Sequence, residues 1–119
     1  MSPEVFEIVF QAWWRAFLLS LVVEGIVAGV TARALHLKVL RVVGASTAGT
    51  CLTHPLLWCV WSRLIANYAL YIASGEILVA AIEALIIWAI ARPITAKQAI
   101  AVSLIANGAS YGLGVLIHG

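Results

Sequence analysis

YIASGEILVAAIEALIIWAIAR, residues 71–92, is the stretch on which the reading of this chain turns. It is long and apolar enough to cross the ~30 Å of a bilayer's hydrocarbon as a helix. Yet it carries two carboxyl groups, Glu76 and Glu83. An ionisable side chain near the centre of a membrane helix costs ~2.5–3.5 kcal/mol on insertion scales. Seven residues separate the two, so they lie on nearly one helix face, ~10 Å apart along the axis. That face must look into a bundle, a partner or a water-filled cavity.

The rest of the chain has the same character. Of its 119 residues, 64% are hydrophobic and 10% charged, against ~25% charged in a soluble domain. A core of this size cannot hide so much apolar surface, so lipid must be the solvent. Glu4 and Glu7 make the N-terminal segment acidic, where a signal peptide is basic. Cys51 and Cys59 are eight residues apart. On one helix that is ~12 Å, too far for a disulfide between them, and they read as small packing residues.

The pattern predicts an all-α, transmembrane four-helix bundle, a single membrane domain over residues 1–119. The expected spans are 13–33, 43–63, 71–91 and 97–118. Ser2, Pro3 and Glu4 suit a helix start, and residues 1–12 read as an interfacial lead-in to the first span. Gly25 and Gly29 form a GxxxG pattern in that span, which allows close helix approach. Residues 34–42 are expected to connect spans one and two. Pro55, after His54, should disturb the second span and free a nearby carbonyl. Residues 64–70 read as an interfacial turn. Thr95 is placed to cap the fourth helix. On that helix Ser103, Asn107, Ser110, Tyr111 and Gly114 share one face, turned toward other helices.

Charge sets the expected orientation. Arg33, Lys38 and Arg41 follow the first span, and Arg92 and Lys97 follow the third. Both groups lie on one side, which the positive-inside rule puts in the cytoplasm. The expectation is N-out/C-out, with Trp13, Trp14, Trp58, Trp61, Tyr68 and Tyr71 as an outer aromatic belt.

Depth carries the functional reading. Counted from the basic ends at 1.5 Å per residue, Glu24 and Glu83 lie ~13 Å above the inner boundary, Asn107 ~15 Å and His54 ~19 Å. Each span thus supplies one polar group near the midplane. Glu76 lies further out, with Arg63 and Tyr68 as candidate neighbours. Such a layer fits a small transport protein or channel for a proton or cation, or a cation-coupled solute. Its path would use Glu83, Glu24, Glu76, His54, Asn107 and Ser110. A second reading is an accessory or structural subunit whose polar helix faces contact partners in a larger membrane complex. A quieter one is that the polar groups only hold helices together. A metal site from Glu24, His54, Glu83 and Cys51 is a narrower case, because no ligand-spacing motif supports it. No cofactor is expected.

The chain has no HExxH, GxSxG or phosphate-binding glycine loop, so no enzymatic motif is present. Seven basic residues split between two membrane faces exclude nucleic acid. Partners are expected to be the bilayer and either further copies of the chain or a membrane complex. Four short helices enclose little volume, which favours a solute path between subunits. Glu24 precedes Arg33 by nine residues, and Glu83 precedes Arg92 by nine. Gly44-Ala-Ser46 and Gly108-Ala-Ser110 also match, so a duplicated hairpin is one explanation.

Thr53-His54-Pro55, Gly75-Glu76, Glu83-Ala84 and Ser103-Leu104-Ile-Ala-Asn107 carry a resemblance over residues 50–112. The pattern is similar to that of uncharacterised small prokaryotic four-helix membrane proteins, with paired carboxylates in one helix and a Ser-Leu-x-Ala-Asn run in the next. The resemblance implies a helical fold in the cytoplasmic (inner) membrane and supplies no activity.

Overall fold

The computed structural model describes residues 2–118, apart from the side chains of Ser62, Tyr68 and His118. The described residues form helices and no strands. Helix α1 runs Pro3–Ala34, and the Ser2 hydroxyl caps it by accepting from the Val5 N–H at 3.2 Å. From Pro3 on, the lead-in runs unbroken into the first span as the opening turns of α1. After Ala34 the chain turns through His36, which takes a φ of 59°. The Leu37 N–H donates to the Ala32 carbonyl and the His36 N–H to the Arg33 carbonyl. This closure usually puts glycine at the left-handed position.

Helix α2 (Val39–Pro55) begins before the expected residue 43, so the connection shrinks to residues 35–38. At Pro55 the α-helix stops, because proline has no N–H to donate and its ring crowds the carbonyl one turn back. The chain widens into a π-helical segment, Leu56–Trp61, followed by a last turn, α3 (Ser62–Leu64). The second span is thus a composite rod rather than one helix. Its α-helical part has 17 residues, fewer than the ~20 that cross a bilayer.

Helix α4 runs Tyr68–Ile90, capped by Asn67, which accepts from the Leu70 N–H at 3.0 Å. The turn expected over residues 64–70 therefore narrows to 65–67. Helix α5 runs Ala96–His118. Thr95 and Gln98 cap it reciprocally: the Thr95 N–H donates to Gln98 Oε1 at 3.0 Å, and the Gln98 N–H donates to Thr95 Oγ1 at 3.1 Å. Three helices, α1, α4 and α5, are long and apolar enough to cross a membrane.

Short connections make successive rods antiparallel. Helix α1 packs on α2 and α5, and α4 packs on the same two, so α1 and α4 stand on a diagonal. The bundle is 49 Å long and 23 Å across.

In lipid the helices have little hydrophobic reason to associate, so closeness of packing decides. At the end carrying the α1–α2 and α4–α5 connections the core is Ala28, Ala32, Ala45, Ala91, Ala99 and Ala106 around Val42, Ile87 and Val102. These small side chains let the rods close. Arg41 donates through Nη1 to the Arg92 carbonyl at 2.7 Å, at the C-terminal end of α4. The Arg92 guanidinium lies 4.3 Å from the centre of the Trp88 ring. Only half of the GxxxG pattern is used within the chain. A Cβ on Gly29 would lie 3.2 Å from Val43 Cγ2, whereas one on Gly25 would meet nothing within 4 Å.

Candidate functional site

The two carboxyl groups that the depth count placed on one level meet at the centre of the bundle. Glu24 of α1 and Glu83 of α4 are 4% and 1% exposed. Thr50 of α2 stands between them. Its Oγ1 is 3.0 Å from Glu83 Oε1 and 3.5 Å from Glu24 Oε1. Gly49 permits the arrangement, because a Cβ there would lie 2.7 Å from Glu83 Cγ. The same Thr50 oxygen is 3.0 Å from the Ser46 carbonyl. A hydroxyl has one hydrogen to give. When it goes to the Ser46 carbonyl, the Glu83 contact needs a hydrogen from the carboxyl itself. Glu83 Oε2 is buried and makes no hydrogen bond. No Lys or Arg occurs in α1 between Arg15 and Arg33, in α2 after Arg41, or in α4. The pair therefore has no protein cation to balance it. Two buried charges of like sign must be offset by a proton or by a cation from outside.

Above the pair lies a cavity of about 670 Å³, walled by all four rods. Its floor includes Glu24 and Thr50, and it extends to Val9 and Val115 near the termini. Along α1 that is a depth of roughly 22 Å. One chain thus supplies residues from all four rods to this space. Glu76, Asn107, Ser110 and His54 all line it. Asn107 is buried and donates from Nδ2 to the Ser103 carbonyl at 2.9 Å. Ser103 in turn donates to the Ala80 carbonyl at 2.7 Å, tying α5 to α4. Ser110 donates to Ser20 Oγ at 3.2 Å, tying α5 to α1. His54 lies one turn above Thr50 among the rings of Phe17, Trp58 and Trp13, at 5.4, 6.1 and 6.3 Å between centres. Its buried Nδ1 makes no hydrogen bond. The layer is therefore two tiers: a carboxyl–hydroxyl–carboxyl floor, and a wall carrying His54 and Glu76. Arg63 is exposed, and the Tyr68 side chain lies outside the described residues.

Thr50 is the residue that sequence reasoning missed. The count that levels the two glutamates would have found it, since Thr50 follows Arg41 by nine residues, the separation of Glu24 from Arg33 and of Glu83 from Arg92. The Gly-Ala-Ser repeat does not extend this equivalence. Ser46 is buried on the Ala-rich side of the pair, whereas Ser110 lines the cavity.

The π-helical segment forms part of the cavity wall. A Cβ on Gly75 would lie 2.5 Å from Leu57 Cδ1, so the widened turn rests directly on α4. The Tyr71 hydroxyl donates to the Leu57 carbonyl at 3.2 Å, and Trp61 Nε1 donates to Ser74 Oγ at 3.1 Å. The carbonyl that loses its donor to Pro55 is that of Cys51, one turn back; the Leu57 bond instead ties the π-helical segment to α4.

Cys51 is exposed. Among the described residues, no three His, Cys, Asp or Glu side chains gather closely enough to hold a metal ion. Comparison with protein families, with curated proteins and with solved structures found no match to this chain.

Proposed function

We propose that this protein is a small polytopic membrane transport protein or channel that passes a proton or cation, or a solute coupled to one, across the inner membrane of a prokaryote. One observation carries the reading: two buried carboxyl groups without a protein cation share the Thr50 hydroxyl at the floor of a cavity. Such a pair takes up positive charge from whatever reaches it, and Thr50 offers the hydroxyl through which a proton changes partners. In this reading the composite rod supplies the fourth crossing. The basic end, with Arg33, Lys38, Arg41, Arg92 and Lys97, faces the cytoplasm, and the cavity opens outward with both termini. The Ala-packed end is then the closed gate.

The test is proton and monovalent-cation flux into liposomes holding the purified protein, with Glu83→Gln alongside. The expected result is flux above that of empty liposomes for the native chain, and a fall to that background in the variant. Undiminished flux in Glu83→Gln would take the pair out of the path. No flux from well-folded native protein would return the chain to the accessory-subunit reading.

A further inference from the structure

Assigning a proton or small cation to the carboxyl pair leaves the cavity's size and walls unexplained. A volume of about 670 Å³ falls within the ~300–1,000 Å³ that holds organic ligands. The walls are predominantly apolar and carry the rings of Trp58, Tyr71 and Tyr111. Two acids, Glu24 and Glu76, line them, and no Lys or Arg does. Aromatic faces and carboxylates both attract positive charge. Apolar walls, by contrast, do nothing for a hydrated inorganic ion, which would have to shed its water against them.

A second observation concerns access. A groove of about 610 Å³ lies between α4 and α5. It shares Ile72, Glu76, Asn107 and Tyr111 with the cavity, so these residues stand between the two spaces. Its outer rim includes Ile77 and Leu104, 72% and 58% exposed, on the lipid-facing side of the bundle. Gly108 borders it, and a Cβ there would meet nothing within 4 Å. A polar side chain at the junction of a lipid-facing groove and an inner cavity is costly unless something positive meets it.

We infer that the cavity binds a lipophilic organic cation, which enters sideways from the bilayer between α4 and α5, meets Glu76 first and settles against Glu24, the member of the carboxyl pair that lines the cavity. This rests on the transport reading above and names its substrate class. A cation with an apolar body and spread charge partitions into the membrane and has little water to lose. The rings and apolar walls take its body, and Glu24 and Glu76 take its charge.

The experiment is equilibrium binding to the purified full chain in nanodiscs, with tetraphenylphosphonium and tetraphenylborate as probes. The two have the same shape and opposite charge, so the comparison depends on no variant's folding. Saturable binding of the phosphonium alone is expected, weakened at least about tenfold in Glu76→Gln and in Glu24→Gln. Gly108→Leu fills open space at the groove and is expected to slow phosphonium association at least about fivefold, as narrowed access slows entry. Equal retention of both ions, or phosphonium binding untouched by both glutamate substitutions, would overturn the inference. Association in Gly108→Leu as fast as in the native chain would overturn the sideways route. Glu83-dependent proton flux in protein that binds no phosphonium would overturn the substrate class and leave the transport reading standing. Absence of both flux and binding would overturn the two together.

Discussion

The two ends of this bundle are made from the same four rods and differ in what fills them. At the basic end six alanines and three larger aliphatic residues are buried together. At the other end the rods are held apart around a cavity by Trp58, Tyr71, Tyr111 and the His54 ring cluster. Antiparallel helices of equal chain have no intrinsic reason to splay at one end. Side-chain size decides it: Ala against Ala lets backbones approach, whereas Trp and Tyr force spacing. The carboxyl pair lies at the changeover. A closed half under an open half places charge-seeking groups where a path would have to pass from one to the other.

The comparison breaks most severely if the closed half is loosened. Ile87→Ala removes one of the largest side chains from the sealed core. It should destabilise the bundle by about 2–4 kcal/mol, read as earlier unfolding in mixed detergent micelles. It should also raise leak flux in liposomes. The same truncation at Tyr111, 47% exposed in the open half, should cost less than a third as much. Equal losses at the two positions would mean that the halves are not differently packed.

A smaller effect is expected at the changeover. Gly49→Ala places a methyl 2.7 Å from Glu83 Cγ, so Glu83 must shift. The expected cost is about 1–3 kcal/mol of overpacking, with flux reduced well beyond what that loss of stability explains. Gly44→Ala, where a Cβ meets nothing within 4 Å, is the control: it should leave flux unchanged and raise stability by up to about 1 kcal/mol, alanine's advantage over glycine inside a helix. If the two variants behave alike, Gly49 is not what brings α2 against Glu83.

The smallest effect belongs to the turn that closes the basic end. His36 holds a φ of 59°, where a side chain is strained. His36→Gly should stabilise the bundle, by no more than about 1 kcal/mol because glycine also loses more chain freedom. Flux should not change. A destabilised variant would mean that the imidazole makes a contact outweighing its strain.

Much of the fold was legible from pattern. Helix starts at Ser2 and Thr95 appeared as caps because hydroxyl residues stood before apolar runs, and both cap as expected. The second rod was legible only in part. Pro55 marked where the rod would be disturbed, and the α-helix does stop there, but the wider winding beyond it follows from the packing of Leu57 on Gly75. The start of α4 was placed late because Tyr68 looks like an interface residue, while its actual signal was the capping side chain of Asn67. At the site, Glu24 and Glu83 announced themselves by their rarity. Thr50 did not, since a threonine among Ser46, Thr47 and Thr53 is indistinguishable from its neighbours until a partner faces it.

Sequence by itself determined the solvent, the helical class and the level at which the glutamates sit. Each of these follows from quantities local to one segment: apolar length, charge spacing and rise per residue. Only the tertiary structure decided that α1 and α4 stand on a diagonal, that Thr50 bridges their carboxyl groups, and that one half closes while the other holds a cavity. Those facts depend on how each rod is rotated about its axis. Rotation is set by which small residues meet across an interface, and no single helix carries that information.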